Sequence, residues 1–157
     1  MSELTVNETA SGGAGGTGQY RDAVVAGLGA GVVFGFLIQF VLGVMPAIGA
    51  MYTLGEPSLS VGWVAHLSHS AIFALLFVVV TWARPVSNYV RNPITAAAVG
   101  GAFGFALWLV NIGFLWPVWL GSVGVMDLPI PNFAPRPLVG HLVWGLLLGL
   151  FYSLLRR

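Results

Sequence analysis

The sequence predicts an all-α membrane protein: a four-helix bundle made of two similar helical hairpins in parallel repeat. Three observations predict it. First, 57% of the 157 residues are hydrophobic and only 7% are charged, where an ordinary soluble domain carries about 25% charged residues. The mean hydropathy is +0.90, and a water-soluble fold of this length could not hide so much apolar surface. Second, four apolar stretches of about 18 to 24 residues each can cross about 30 Å of hydrocarbon as helices. Third, short motifs of the first half recur in the second.

Residues 1–21 come first, mostly polar and rich in Gly, Ser and Thr. They bury too little apolar surface to offset the entropy of ordering, and read as a flexible tail. Glu3 and Glu8 stand where a secretory signal would have basic residues. The remaining residues, 22–157, form one four-span domain. The predicted spans cover about 22–45, 60–82, 94–116 and 138–155, and none carries Asp, Glu or Arg in its middle. Their limits are marked by Pro46, by Pro85 and Pro93, by Pro117 and by Pro135 and Pro137. Proline is tolerated at helix ends, where no interior hydrogen bond is lost.

Arginine placement gives an orientation. Arg21, Arg84, Arg91, Arg156 and Arg157 fall on one side of a four-span chain, and only Arg136 falls on the other. The positive-inside rule then places both termini in the cytoplasm of a protein integral to the cell membrane.

The repeat is carried by Phe34-Gly35-Phe36 and Phe103-Gly104-Phe105, each followed by a glycine (Gly43, Gly113) and a proline (Pro46, Pro117). Downstream, Val64-Ala65-His66-Leu67 matches Val139-Gly140-His141-Leu142. Glycines also recur at intervals of four: Gly27, Gly31 and Gly35 in the first span, Gly100 and Gly104 in the third, Gly145 and Gly149 in the fourth. Small residues at this spacing let helices approach closely in lipid, where no hydrophobic force drives them together. At least one such stripe is expected to face another helix, within the bundle or in a homo-oligomer.

The strongest polar groups of the spans gather at one depth. His66, His69, His141, Gln39 and Asn111 all fall about 6 to 14 Å in from the end opposite the termini, counted by helical rise. Buried polar groups in spans are costly and face the bundle interior or water, so a shared inner layer is expected. Three readings of it stand. It can be a hydrogen-bonded network that holds helix register. It can bind a metal or cofactor: zinc or copper on His66, His69 and His141, or haem b with His66 and His141 as axial ligands and Trp108 and Trp144 packed nearby. It can pass protons or a small solute in an oligomer, although no mid-span carboxylate continues a path.

Other function classes find little support. A formal net charge of +1 gives no footprint for nucleic acid. With no cysteine, thiolate metal sites and disulfides are excluded. No phosphate-binding loop, nucleophile elbow or zincin motif is present, and Glu56 and Asp127 read as solvated loop carboxylates. An enzyme is therefore not expected. The first expectation is a non-enzymatic accessory or structural component without a cofactor, packed in the lipid bilayer, alone, as a homo-oligomer or within a larger membrane complex.

The stretches MPAIGAMYTLGEPS (45–58), GWVAHLSHSAIF (62–73) and GHLVWGLLLGL (140–150) resemble small four-helix integral membrane proteins of haloarchaea, some of which are labelled histidine kinase. The resemblance covers most of residues 22–157 and implies the four-span fold without implying any site residue. The kinase label finds no counterpart here, because no loop or flank in this sequence is long enough for an ATP-binding domain.

Overall fold

A computed structural model describes residues 14–157. The first long helix, α1 (Ala14–Phe36), runs into a π-helical segment (Leu37–Leu42) and is followed by the short α2 (Met45–Ala50). Next come α3 (Leu59–Trp82), the single turn α4 (Val86–Tyr89) and α5 (Pro93–Val110). A second π-helical segment (Asn111–Leu115) leads into α6 (Trp116–Ser122), and α7 (Pro135–Leu155) closes the chain. No strand occurs among the described residues. Four helical stretches are long and apolar enough to span a membrane: Thr17–Leu42, Leu59–Trp82, Pro93–Ser122 and Pro135–Leu155.

Helix starts follow local chemistry. Ser58 caps α3 by accepting from the Val61 N–H at 3.4 Å. Asn92 caps α5, accepting from Ile94 N–H at 2.9 Å, with Pro93 in the first turn. Pro135 and Pro137 occupy the first turn of α7, where an N–H has no intrahelical partner.

The outside of the bundle is as apolar as its inside. Phe40 is 70% exposed and Val64 is 67% exposed. A helix that is hydrophobic all round belongs in a core or in lipid, and these exposed faces are compatible with a lipid surround.

The packing order is set by glycine. α1 lies against α3, where a Cβ on Gly27 would strike Ala74 and one on Gly31 would strike Ser70. Gly35 of α1 makes room for the Trp63 ring of α3. α5 lies against α7, where Gly100 and Gly145 face each other, Gly104 meets the His141 carbonyl and Gly149 meets the Ala96 carbonyl. α1 also packs on α7, where Gly140 accommodates the Phe34 ring. All three glycine faces are thus occupied within the chain. α3 and α5 are the exception: their backbones do not pack closely, and side chains fill the space. Phe77 meets Phe103 at 5.5 Å between ring centroids, and Phe73 and Phe103 both meet Trp144, at 6.4 and 6.3 Å.

Two boundaries differ from the sequence reading. Helix α1 begins at Ala14, so residues 14–21 of the expected tail are helical, and residues 1–13 lie outside the described residues. The early turns are held by tertiary contacts: Tyr20 packs edge-on against Trp82 and Gln19 accepts from Arg156 Nη1 at 3.2 Å. These outweigh the weak helix propensity of Gly and Thr.

The third span also does not stop at Trp116. It continues through Pro117 to Ser122, by way of the π-helical segment. Pro117 lacks the N–H that would bond to the Gly113 carbonyl, and that carbonyl instead accepts the Asn132 N–H at 2.9 Å. The loop before α7 thereby satisfies the group that proline leaves free. The first hairpin has the same sequence of parts, a π-helical segment and then a proline-led short helix. There, however, Gly43 breaks the helix with φ +71°.

Candidate functional site: an aromatic cavity with three histidines

A cavity of about 500 Å³ lies inside the bundle at the end away from the termini. Each long helix contributes to it: Phe34 from α1, His66, His69 and Phe73 from α3, Leu107 from α5, and His141 and Trp144 from α7. The two π-helical segments add Ile38 and Asn111, and Asn132 and Arg136 come from the loop and the start of α7. Phe73 and Trp144 belong to the aromatic contacts described above, which continue through Phe103 and Phe77 toward the termini and close the floor.

Four of the five residues expected to share a polar layer border this cavity: His66, His69, His141 and Asn111. Gln39 does not. It accepts a 2.5 Å hydrogen bond from Trp63 Nε1 and ties the end of the first span to α3.

The histidines are held differently. His66 is buried, and its Nε2 lies 2.8 Å from the Gly31 carbonyl. A carbonyl only accepts, so Nε2 carries the proton and Nδ1 is left as an acceptor. The glycine contact between α1 and α3 brings that carbonyl within reach. His141 Nδ1 donates to the Pro137 carbonyl at 2.8 Å, leaving Nε2 as an acceptor. Both imidazoles pack on the edges of Phe34, with centroids 5.4 and 5.1 Å away. His69 instead bonds through Nε2 to the Tyr52 hydroxyl.

Tyr52 belongs to the turn after α2 and packs at a tilt against Trp119 of α6, with ring centroids 5.0 Å apart, while Trp119 Nε1 donates to the Met51 carbonyl at 2.9 Å. These contacts bridge the α3–α5 gap above the cavity. Burial raises the Tyr52 pKa above its ordinary value of 10.0, so the phenol keeps its proton throughout the neutral range.

Trp144 is the least satisfied member. Its ring is buried and forms part of the cavity wall, and its Nε1–H has no hydrogen-bond partner. Trp108, expected nearby, donates instead to the Ala134 carbonyl at 3.0 Å and steadies the loop before α7.

This arrangement provides shape and a few directed polar atoms. Among the described residues, no carboxylate, lysine or cysteine lines the cavity, and Glu56 and Asp127 are not part of its wall. Among the described residues, no three His, Cys, Asp or Glu side chains are grouped to hold a metal ion. Ligation of one haem through His66 Nε2 together with His141 would break the His66–Gly31 bond, and Phe34 packs against both rings.

Sequence reasoning found the histidines by depth, but Phe34, Tyr52 and Asn132 gave no such signal. Phe34 is one apolar residue among many, and Tyr52 and Asn132 lie in loops whose folding back over the cavity is a tertiary event.

Fold and site together define an all-helical bundle with four membrane-compatible spans and an aromatic, histidine-bearing cavity that opens at one end. No protein-family model, curated protein or solved structure matches the chain.

Proposed function

We propose that this is a non-enzymatic integral membrane protein that binds a small, lipid-soluble molecule inside its bundle. The observation that carries the reading is the cavity itself. The bundle forms a concave cleft of about 500 Å³ among its helices, open on one side where Leu115, Pro135 and Arg136 are exposed. Small-molecule sites have this size and character: apolar and aromatic walls with a few placed polar groups. A role as an accessory or structural component acting through packing alone explains the glycine faces and leaves the cavity without a reason.

The test fills the cavity. Leu107→Trp places a large ring in it, next to Asn111 and Ile112. With protein in phosphatidylcholine nanodiscs and 2-methylnaphthalene as probe, wild-type protein binds above empty discs. The variant loses at least about tenfold in affinity through steric exclusion while keeping its melting temperature. Equal binding by both proteins, or none by either, would reject the reading.

A second reading is a metal or haem b centre on His66, His69 and His141, and its support is that all three border the same cavity. Absorbance and elemental analysis of purified protein distinguish it. A Soret band, or about one metal ion per chain that disappears in His66→Ala or His141→Ala, would replace the small-molecule proposal. Arginine placement supports both termini lying in the cytoplasm. Homo-oligomer formation or joining a larger complex would use the outer apolar faces, because the glycine faces are already occupied.

A further inference from the structure

We infer that the molecule held in the cavity is an amphiphilic carboxylic acid, with its apolar body among the aromatic side chains and its carboxylate at the open end, paired with Arg136. The inference rests on the small-molecule reading above and names the chemistry of its ligand.

The distribution of charge carries it. Arg136 borders the cavity where it opens, is exposed, and has no ion-pair partner among the described residues. Glu56 and Asp127, the carboxylates of the loops at this end, do not pair with it. No lysine, carboxylate or second arginine stands on the wall. The other arginines, Arg21, Arg84, Arg91, Arg156 and Arg157, belong to the end of the bundle that carries the termini. Arg136 also stands in the first turn of α7, where neither an acidic residue nor a side-chain cap offsets the positive end of the helix dipole. An anion at the opening meets both the guanidinium and that dipole.

The interior selects the opposite chemistry. Ile38, Phe73, Leu107 and Ile112 make it apolar. His66 and His141 each give one ring N–H to a backbone carbonyl, of Gly31 and Pro137. In a neutral imidazole the remaining nitrogen accepts, and an acceptor cannot hold a carboxylate. A charge placed among these groups would lose its hydration without compensation. An apolar interior with a cationic rim therefore fits a molecule whose body points inward and whose charged head stays at the opening. A carboxylate suits this rim. It accepts two parallel N–H bonds from a guanidinium, and its single charge matches the single cation. Asn132, four residues before Arg136 and also on the wall, has a carboxamide N–H to add.

A matched probe pair separates the head from the body. 2-Naphthylacetic acid and its methyl ester share a two-ring frame, and at pH 7 only the acid is charged. Each is titrated into wild-type protein and into Arg136→Gln in phosphatidylcholine nanodiscs, read by calorimetry with empty discs subtracted. Comparing the acid-to-ester affinity ratio between the two proteins removes the partitioning of each probe into lipid, which is common to both.

The ratio is expected to be about three- to tenfold higher in wild type than in Arg136→Gln, between the value of an exposed ion pair and that of a charged hydrogen bond. Arg136→Lys, which keeps the charge and loses the planar fork, should fall between them. If wild type and Arg136→Gln give the same ratio, the carboxylate inference fails, and binding of the ester keeps the cavity reading. If neither probe binds wild type, both fail. Should Arg136→Gln not fold, salt decides on the wild type. Raising it from about 0.01 M to about 1 M shortens the screening length from about 30 Å to about 3 Å, and the acid should lose affinity relative to the ester. A ratio that does not move with salt overturns the inference.

Discussion

Gly100 of α5 and Gly145 of α7 face each other so closely that a Cβ on either would strike the carbonyl oxygen of the other. The contact is backbone to backbone, which lipid-embedded helices reach only where side chains are absent. Gly145→Val is therefore expected to destabilise the bundle by about 1 to 3 kcal/mol, the usual range for overpacking. Gly121→Ala, in an exposed turn of α6 whose new Cβ would have no neighbour nearer than 4.0 Å, should change stability by less than about 0.5 kcal/mol. Reversible unfolding in mixed detergent micelles measures both; equal losses would contradict the packing assignment.

The Tyr52 phenol predicts an alkaline limit. Its pKa is raised in the folded protein by burial, so folding favours the protonated form. That stability is fully present below the unfolded value of about 10 and is lost as pH rises through the higher folded value. Thermal melts should be level on this account between pH 7 and 9 and fall above about pH 10. Tyr52→Phe should flatten the alkaline fall, and absorbance at the phenolate band should show one tyrosine ionising late. A fall of identical size in the variant would exclude Tyr52 as its source.

Pro117 and Asn132 make a coupled pair through the Gly113 carbonyl. Pro117→Ala restores an N–H that can compete for that carbonyl. The expected result is a more regular helix through the π-helical segment and a loosened loop before α7. Hydrogen exchange is the measurement: the Asn132 amide should lose protection in the variant while amides of α3 keep theirs. Unchanged protection at Asn132 would mean that the loop is held by other contacts, such as Trp108 on the Ala134 carbonyl.

Topology is testable because the chain has no native cysteine. Asn88, in the turn between α3 and α5, and Asp127, in the loop before α7, are both exposed. With the termini cytoplasmic, Asp127→Cys is labelled by an impermeant maleimide on intact cells and Asn88→Cys only after lysis. The reverse pattern would invert the proposed orientation.

Much of the architecture was legible because lipid imposes a simple code. Four apolar stretches of sufficient length, with prolines near their ends, mark four helices, and the glycine intervals mark the faces that meet. The prolines misled at one place. Pro117 was read as the end of the third span, yet a π-helical segment and the Asn132 N–H carry the helix through it.

Depth was also more legible than direction. Helical rise brings His66, His69, His141 and Asn111 to one level, and they do share a cavity. Gln39 has a similar depth but lies two residues into a π-helical segment, whereas Asn111 opens its own, and the i→i+5 pattern alters the angle between successive side chains. Angles counted along an ideal α-helix do not apply there, and Gln39 pairs with Trp63 outside the cavity. The unmet Trp144 N–H had no sequence signature, since whether a donor has a partner depends on every neighbour at once.

The loose side of the bundle changes how occupancy would be governed. α3 and α5 approach through aromatic side chains rather than backbones, so this flank is where ring movements alone could admit a molecule arriving by lateral diffusion. Such a ligand is dissolved in the bilayer, and its chemical potential follows its mole fraction among the lipids. Diluting the membranes with buffer would then leave the site filled, whereas fusing them with ligand-free vesicles would empty it.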